Sequence, residues 1–319
     1  MTEIGGRFNG GSPENHDRMW NKTGMKQILG DLTALDPGRP VLIAGPTASG
    51  KSALAVGIAR AQGRVVVNAD ALQVWSCWRV LSARPTPAEE AGVPHLLFGH
   101  MDPGAAYSVG HWLREVAGVL SRHPAPVIVG GTGLYLSALT EGLADIPTTP
   151  HAVRAEADRR MAEGGPSPML AALDAATRAR VDPANPARIQ RAWEVWRATG
   201  RGLAAWQDET GPALIPRGAA HCLRIDCDRD WLAGRIDARF DQMMEAGALD
   251  EVAAMLPRWR PTALWAKAIG APDLVSYLRG EQTLADAISA AKAASRQYAK
   301  RQRTWLRRRM AGWQPLPRP

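Results

Sequence analysis

The sequence is poor in cysteine and has no long apolar segment. Its three cysteines, Cys77, Cys222 and Cys227, lie in neither a CxxC pair nor a His-rich spacing, which disfavours both a disulfide framework and a zinc site. No apolar run approaches the roughly 20 residues of a membrane-spanning helix, and the N-terminus lacks the apolar core of a signal peptide. We therefore expect a cytoplasmic protein without a membrane partner, and we expect it to act as a monomer.

Acidic residues are a minority among the charged ones. The chain has 31 Asp and Glu against 39 Lys and Arg, a formal net charge of +8, and its pI is about 9.8. This excess predicts an anionic partner but does not distinguish RNA from DNA or from a membrane surface. The 319 residues are enough for one large α/β domain and a smaller one.

Residues 41–52, VLIAGPTASGKS, contain the most informative motif of the chain. The pattern GxxxxGK[ST] of phosphate-binding loops is matched at every fixed position, between an apolar run typical of a buried strand and a helix predicted over 53–61. Backbone N–H groups of such a loop and the helix N-terminus bind phosphate oxygens. An incidental Gly-rich turn is the alternative, which the strand-loop-helix order disfavours. The predicted phosphate-binding residues are Gly45, Pro46, Thr47, Ala48, Ser49, Gly50, Lys51 and Ser52, with Ser52 as the Mg²⁺ ligand.

Two further predicted strands end in turns that contain a candidate site residue each. Residues 64–70, RVVVNAD, place Asp70 after a buried strand, and residues 126–133, PVIVGGTG, end in a turn with exposed amides that contains Thr132. A phosphate-loop kinase or ATPase would often carry an Asp at the end of the second of these strands. Gly130 and Gly131 stand there, which weakens an ATPase interpretation. The Pro-rich segment 79–103 is predicted to be a long loop that lines the site.

The strand and helix patterns divide the chain into three regions. Residues 1–38, polar and rich in Gly and Asn, are predicted to be a flexible extension. Residues 39–144 and 217–319 are predicted to form an α/β core, a P-loop NTPase-like parallel sheet with C-terminal helices. Residues 145–216 have little strand signal and are predicted to be an inserted all-helical domain. Within it, 185–200 is expected to be a helix that buries Ile189, Trp193 and Trp196.

The segment 295–310, SRQYAKRQRTWLRRRM, contains no acidic residue. On a helix, its cations at steps of four, three and four would form one basic stripe. A solvated surface helix is the alternative. Because so many like charges repel without an anion, a polynucleotide backbone is the favoured partner. The stripe consists of Arg296, Lys300, Arg303 and Arg307.

Taken together, these motifs resemble the bacterial tRNA dimethylallyltransferases, in the order and spacing of that family. The resemblance covers 42–305. The blocks that carry it are GPTASGKS (45–52), NADALQVW (68–75), VPHLLFGHMDP (93–103), GGTGLYLSAL (130–139), NPARIQRAWEV (185–195) and SRQYAKRQRTW (295–305).

The chain departs from the family pattern at a few positions. Ala71 and Leu72 replace a Ser-Met pair, Gly99 replaces an Asp, and Ala187 replaces a Gln. Residues 270–273 read GAPD where the family has a GYKE-type block. These departures concern the periphery of the tRNA contact more than the chemistry.

The resemblance implies transfer of a dimethylallyl group from dimethylallyl diphosphate to the exocyclic N6 amine of the adenosine 3′ of the anticodon, in tRNAs that read codons beginning with U. Lys51, the loop amides and Mg²⁺ would stabilise the leaving diphosphate. Asp70 would accept the proton of the amine; a turn cap or an indirect contact to Mg²⁺ are its alternative roles. Thr132 and Arg235 resemble family residues that contact the reacting groups and the diphosphate. A helix N-cap and a surface arginine are their alternatives.

The tRNA would have to extrude the target base from its anticodon stem-loop. Gln73 is expected to pair with the edge of the adenine or, alternatively, to face solvent. The other expected tRNA contacts are Asp70, Ala71, Leu72 and Thr132 near the base, Arg154, Ala187, Arg188, Ile189, Gln190 and Arg191 in the helical insertion, and the four cations of the stripe.

Two other functions remain open from the residues alone. One is a phosphotransferase acting on a nucleotide or small molecule, with ATP in the loop and Asp70 as the base. The other is a non-catalytic RNA-binding ATPase. The missing acid after the strand at 126–130 and the six ordered blocks weigh against both.

Overall fold

The described part of the chain divides into two compact units. The computed structural model describes residue 30 and residues 32–316. The larger unit combines the described residues of Met1–Ser137 and Arg217–Pro319, and the smaller one is Ala138–Pro216. Within the described residues, no helix combines the length and the apolar character that crossing a membrane requires.

A parallel sheet forms the centre of the larger unit. Its strands are β1 (Val41–Ala44), β2 (Val66–Asn68), β3 (His95–Leu96), β4 (Val127–Gly130), β5 (His221–Ile225) and β6 (Gln314–Leu316). Their spatial order is β3-β2-β4-β1-β5-β6, and every neighbouring pair is parallel. Strands β1 and β4 are buried along their whole length, as apolar runs in parallel sheets are. The predicted parallel α/β core is confirmed.

Four helices follow the first strands. They are α1 (Lys51–Gln62), α2 (Pro87–Gly92), α3 (Val109–Leu120) and α4 (Gly133–Glu141). Helix α2 and strand β3 interrupt the segment that the sequence predicts to be one long loop. Thr86 caps α2 and exchanges hydrogen bonds with Glu89, a capping box that stabilises a short helix.

After α4, every described secondary-structure element of the smaller unit is a helix. These are α5 (His151–Gly164), α6 (Pro166–Ala171), α7 (Ala175–Arg180), α8 (Pro186–Thr199) and α9 (Leu203–Asp208). In α8, Asn185 accepts a hydrogen bond from the backbone N–H of Arg188, and Gly200 ends the helix with a φ of 68°, as the sequence predicts. The core of this unit includes Ala157, Met169, Leu173, Ile189, Ala192 and Trp193.

The larger unit continues with α10 (Arg229–Glu245), α11 (Ala248–Met255), α12 (Ala271–Leu278) and α13 (Leu284–Arg309). Gly247 adopts a φ of 95° between α10 and α11. That left-handed conformation ends a helix, and glycine adopts it at little cost. Helix α13 begins before the predicted basic segment, and Thr283 caps the N-terminus of the helix.

The core of the larger unit joins the sheet to α1, α10 and α13. Ile43 and Val129 of the sheet, Ile58 of α1 and Ile236 of α10 belong to one buried cluster. Leu32 is 4% exposed in the same cluster, so packed structure begins before the predicted boundary at residue 39. Most of the predicted flexible extension, residues 1–29 and 31, lies outside the described residues.

Candidate active site

The phosphate loop connects the end of β1 to the start of α1. Ala48 and Gly50 have positive φ angles of 61° and 87°, and a left-handed alanine is the kind of local strain found at functional turns. At Gly45, a Cβ atom would lie 2.8 Å from Ser49 Oγ, so glycine lets the loop close tightly. Ser49 is 2% exposed, and its hydroxyl has no partner among the described residues. The loop thus holds an unsatisfied polar group, as expected of a site that a ligand completes.

Lys51, the first residue of α1, lies inside this loop. It is 9% exposed, and its Nζ donates to the carbonyl oxygen of Pro46 at 3.3 Å. Burial lowers the pKa of Lys51 to about 8; the nearby Asp70 carboxylate acts in the opposite direction, and the Arg239 guanidinium adds to the lowering. An ammonium group held under these conditions gains a strong partner when a phosphate binds.

The loop opens into a cavity of about 620 Å³, which we call the phosphate-loop cavity. Its cations come from the loop itself, from the segment after β2 and from α10, and Glu89 is an acid on its wall. Convergent cations in a concave site create a strongly positive potential. The cationic lining residues are Lys51, Arg79, Arg84, Arg235 and Arg239.

Two arginines of α10 hold the phosphate loop. Arg235 Nε donates to the carbonyl oxygen of Ala48 at 3.0 Å, and its guanidinium lies 4.9 Å from the centre of the Trp231 ring. Arg239 Nη1 donates to the Thr47 hydroxyl at 3.2 Å. Burial lowers the pKa of Arg239 despite the opposing effect of the Asp70 carboxylate. The sequence pointed to Arg235 and missed Arg239 as a site residue, although the two lie one helical turn apart.

The departure at Gly99 is explained by Arg84. Gly99 has a φ of 56°, and a Cβ atom there would overlap the Arg84 guanidinium. Arg84 Nε donates to the carbonyl oxygen of Trp78 at 2.7 Å, and its Nη2 donates to that of Ser76 at 3.2 Å. The missing side chain therefore gives Arg84 the space from which it reaches the wall of the phosphate-loop cavity.

Asp70 lies directly after β2, at the carboxyl edge of the sheet. Its Oδ1 accepts a hydrogen bond from the backbone N–H of Leu72 at 2.9 Å, which is the turn-capping role considered as an alternative. Within the described part of the chain, no hydrogen bond reaches its Oδ2. The carboxylate is close enough to affect the pKa values of Lys51 and Arg239. The two oxygens of this carboxylate therefore have different surroundings, because one of them holds the turn.

Thr132 joins the turn after β4 to the turn after β2. Its hydroxyl accepts from the backbone N–H of Ala71 at 2.9 Å, and its own N–H donates to the carbonyl oxygen of Ala69 at 3.2 Å. Its carbonyl oxygen accepts from the N–H of Tyr135 at 3.0 Å and so begins α4. Thr132 therefore occupies the N-cap position of α4, and its side chain links two loops of the site.

The glycines of the turn after β4 serve close packing. A Cβ atom at Gly131 would overlap the side chain of Gln302, and one at Gly133 would overlap the ring of Trp305. Both of these side chains come from α13, which covers the turn. Gly131 is buried and the N–H of Thr132 donates to Ala69, so the expectation of exposed backbone amides is wrong at these two residues.

The same face of α13 contributes Tyr298, one turn before Gln302. Burial raises the pKa of the Tyr298 hydroxyl and the Asp70 carboxylate raises it further, while hydrogen bonds with Thr132 and Gln302 lower it. Gln302 is 6% exposed. The basic helix therefore forms a wall of the site, whereas the sequence connected it with function only through its cations. The sequence signal for this second role of the helix is the set of polar side chains on the face opposite to the stripe.

The side chain of Gln73 turns towards the protein. Its Nε2 donates to the carbonyl oxygens of Ser82 and Ala83, at 2.9 Å in both cases. Both donors of the amide are thus used within the protein, and they hold the segment that carries Arg79 and Arg84. The alternative of a solvent-facing side chain is wrong, whereas the predicted adenine contact stays a prediction, because the amide oxygen accepts no hydrogen bond among the described residues.

The predicted basic stripe lines a second cavity of about 660 Å³, which we call the basic groove. Helix α10 forms its opposite wall. Arg296 is paired with Asp237, and Arg307 Nε lies 3.9 Å from Asp226. Within the described residues, the other two cations of the stripe have no ion pair. The charged lining consists of Arg229, Asp230, Arg296, Lys300, Arg303 and Arg307.

In the smaller unit, the predicted tRNA contacts include both exposed and buried residues. Arg154, Ala187 and Arg188 are exposed. Ile189 is 1% exposed and lies in the core of the unit. The prediction that its side chain contacts tRNA directly is therefore wrong, and the side chain packs in the core instead.

The remaining two predicted contacts of α8 are engaged in internal hydrogen bonds. Gln190 Nε2 donates to Asp158 Oδ1 at 2.7 Å. Arg191 Nη1 donates to the Thr149 hydroxyl at 2.6 Å. These bonds engage the amide nitrogen of Gln190 and one of the three guanidinium nitrogens of Arg191, so the other polar atoms of both side chains are not committed to them.

A metal ion would have to rely on few protein ligands. The described residues contain no group of three or more His, Cys, Asp or Glu side chains that could hold one. Mg²⁺ is commonly bound through one or two protein oxygens, with water and substrate phosphates as the other ligands. Ser52 is exposed and follows Lys51 in the first turn of α1. The residues therefore fit a Mg²⁺ ion that arrives with a diphosphate.

The phosphate loop after a central parallel strand, with cations from several elements around it, defines a P-loop NTPase-like α/β protein. The IPP transferase model matches residues 73–309, and the isopentenyl transferase model matches 39–98. The tRNA dimethylallyltransferase of Cereibacter sphaeroides is 64% identical over 291 residues, which are 91% of this chain and 93% of that protein. The chain belongs to the IPP transferase family.

Solved structures support the same assignment. The full-length tRNA isopentenylpyrophosphate transferase of Bacillus halodurans aligns with a TM-score of 0.61 at 30% identity, covering 88% of this chain and 89% of that one. A eukaryotic dimethylallyltransferase, crystallised acting on tRNA, aligns with a TM-score of 0.73 at 24% identity, covering 88% of this chain and 73% of that one. The second likeness shows the fold alone, and the predicted fold class is confirmed.

Proposed function

We propose that the chain transfers a dimethylallyl group from dimethylallyl diphosphate to the exocyclic N6 amine of an adenosine in tRNA. Membership of the IPP transferase family and the activity for which its relatives are named support this function. The observation that carries the chemistry concerns Asp70: its Oδ2 has no hydrogen bond from any described residue, and the charge of this carboxylate acts on Lys51 in the phosphate loop. The proton acceptor would thus lie next to the site of the leaving diphosphate.

The phosphate-loop cavity would bind the diphosphate of the donor. Negative charge grows on the diphosphate as its bond to the allylic carbon breaks, so fixed positive groups stabilise the transition state more than the ground state. Lys51 and Arg239 lie at the loop already desolvated, and Arg235 is held against Ala48. These groups need little rearrangement when the charge develops.

Ser52 would contribute its hydroxyl to Mg²⁺ bound with the donor. When bound, the ion would supply further positive charge at the diphosphate oxygens. The exposed position of Ser52 beside Lys51 supports this role.

Asp70 would act as the general base. The N6 amine of adenine is a weak nucleophile, because its lone pair is delocalised into the ring. As the carbon–nitrogen bond forms and the carbon–oxygen bond to diphosphate breaks, the proton of the amine passes to Asp70 Oδ2. The hydrogen bond from Ala71 N–H to the Thr132 hydroxyl fixes the turn that carries this carboxylate.

The tRNA would approach through its anticodon stem-loop, with the adenosine 3′ of the anticodon extruded. Tracking of its phosphate backbone along the basic groove is supported by the cations that line the groove. Arg154 and Arg188 of the smaller unit are exposed and add two further contacts. Action as a monomer and selection of tRNAs that read codons beginning with U belong to the same proposal.

The test compares the two donors that a phosphate loop can hold. Unmodified tRNA is incubated with the protein and Mg²⁺ plus either dimethylallyl diphosphate or ATP, and its nucleosides are then analysed by mass spectrometry. We expect an adenosine that has gained the dimethylallyl group with the first donor and no modified nucleoside with ATP. Consumption of ATP without modification of tRNA by either donor would instead favour a phosphotransferase.

A further inference from the structure

The side chain of Gln302 connects two loops of the site. It projects from α13 and is 6% exposed. Its Oε1 accepts a hydrogen bond from the backbone N–H of Thr47 at 2.9 Å, and its Nε2 donates to the carbonyl oxygen of Gly131 at 3.0 Å. Thr47 belongs to the phosphate loop, and Gly131 precedes Thr132. One amide therefore ties the loop beneath the phosphate-loop cavity to the turn that supports the base.

Both partners of this amide depend on it. Thr47 also holds Arg239 through its hydroxyl, so a shift of Thr47 would move a cation of the cavity as well. At Gly131, a Cβ atom would overlap the amide nitrogen of Gln302. The position requires an acceptor at one end and a donor at the other, which an amide supplies and a carboxylate does not. Removing it would leave a poorly hydrated N–H and carbonyl group without partners.

We propose that Gln302 is a positioning residue for the donor diphosphate. It sets the orientation of the phosphate loop through Thr47 N–H and holds that loop at a fixed separation from the turn of Thr132, without contacting the substrate itself. The identity of the donor rests on the proposed function. Helix α13 then has two functional faces, one along the basic groove and one against the phosphate loop.

The first test replaces Gln302 by Met and uses inorganic pyrophosphate with Mg²⁺ as the probe. Met has a similar length and a high helix propensity, but it makes neither hydrogen bond. We expect the affinity for pyrophosphate, measured by calorimetry, to fall about 10-fold, the effect of leaving buried polar groups unpaired. The KM for dimethylallyl diphosphate should rise with it, while tRNA affinity stays unchanged. Gln207→Met, at an exposed glutamine of α9, is the matched control and should change neither affinity.

The second test uses pH. In Gln302→Glu, a carboxylate still accepts from Thr47 N–H but cannot donate to Gly131, and a protonated carboxyl group can do both. Relative to the wild type, pyrophosphate affinity should therefore be low at pH 8 and recover as the pH falls towards 5. The Gln302→Met variant should show no such recovery. If Gln302 only filled space, the two variants would not differ in their pH dependence.

The outcomes separate this inference from the proposed function. Wild-type protein that binds neither pyrophosphate nor dimethylallyl diphosphate would contradict the proposed function itself. Wild-type binding together with equal binding by both Gln302 variants would overturn the positioning role alone. Parallel loss of tRNA and pyrophosphate affinity in Gln302→Met, without recovery of Gln302→Glu at low pH, would also overturn it, because the residue would then serve the fold of the helix.

Discussion

The phosphate-loop cavity and the basic groove are nearly equal in volume, about 620 and 660 Å³, but they hold their positive charge differently. In the cavity, Lys51 is 9% exposed and has its pKa lowered to about 8. In the groove, the side chains of Arg296 and Arg307 are 40% and 53% exposed and are compensated by Asp237 and Asp226. Desolvated charges favour a small ligand of high charge, because that ligand replaces the lost hydration. Hydrated and partly paired charges suit a polymer whose phosphates remain in water.

This difference has a direct consequence for the effect of salt. Ions screen interactions between solvent-exposed charges strongly and buried ones much less. Polynucleotide binding also releases counterions, which steepens its salt dependence. Salt should therefore weaken binding in the basic groove much more than binding of a diphosphate at Lys51.

The largest effect is expected at Asp70, which lies beside the phosphate-loop cavity. Asp70→Asn keeps the shape of the side chain and an oxygen for Leu72 N–H, but it removes the base. Turnover should fall on the order of 100-fold or more, as measured by single-turnover modification of tRNA. Affinities for tRNA and pyrophosphate should remain close to wild type. Turnover within a few-fold of wild type would exclude the general-base role.

Lys51 should come next. Lys51→Ala removes a cation whose interaction strengthens as charge develops on the leaving diphosphate, so both the KM for the donor and kcat should change. We expect kcat/KM for dimethylallyl diphosphate to fall roughly 10- to 100-fold, in steady-state assays at saturating tRNA. Ser52→Ala at limiting Mg²⁺ is the companion variant for the metal. A change confined to tRNA affinity would contradict the assignment of Lys51 to the donor.

The lowered pKa of Lys51 predicts a pH dependence of intermediate size. The folded protein without ligand binds fewer protons than the unfolded chain between about pH 8 and 10.5. Its free energy of unfolding should therefore rise with pH through that window, by up to about 3 kcal/mol, and the destabilisation should be complete below pH 8. A bound diphosphate needs the ammonium form, so its affinity should decline above pH 8. Calorimetry with pyrophosphate checks this, and Lys51→Ala should show a flatter profile.

The smallest effects are expected in the basic groove. Lys300 and Arg303 have no ion pair among the described residues, so replacing both by Ala should reduce the slope of log affinity for tRNA against log salt by up to about two units. The matched double variant at Arg296 and Arg307 should reduce it less, because Asp237 and Asp226 already compensate those charges. Filter binding across a salt series measures both. Pyrophosphate affinity should not change in either variant. Equal slopes for the wild type and both variants would show that the stripe is a solvated surface without a role in tRNA binding.

Local patterns were sufficient for the parts of the site that are continuous in sequence. The phosphate loop lies where GxxxxGK[ST] predicts it, with β1 before it and α1 after it. Asp70 follows β2, and α8 begins after Asn185 and ends at Gly200, because caps, turns and strand ends depend on neighbouring residues.

Contacts between distant segments were not predictable in this way. Gln302 reaches Thr47 over a separation of 255 residues, and nothing in either local sequence encodes that meeting. The amide of Gln73 points inwards, where it donates to two carbonyl oxygens of the loop after β2. Strand β6 was missed because a short segment after a long helix pairs only when β5 offers an edge.

The sequence by itself determined that this protein has a phosphate loop, a carboxylate at the end of the second strand and a basic helix near its C-terminus, since each is a pattern of adjacent residues. Only the tertiary structure decided how they act together. Packing of α10 and α13 around the loop buried Lys51, brought Arg239 to Thr47 and turned Gln302 towards Gly131. Burial and long-range hydrogen bonds arise from the whole packed chain, so the charge state of Lys51 and the shape of the loop follow from the fold.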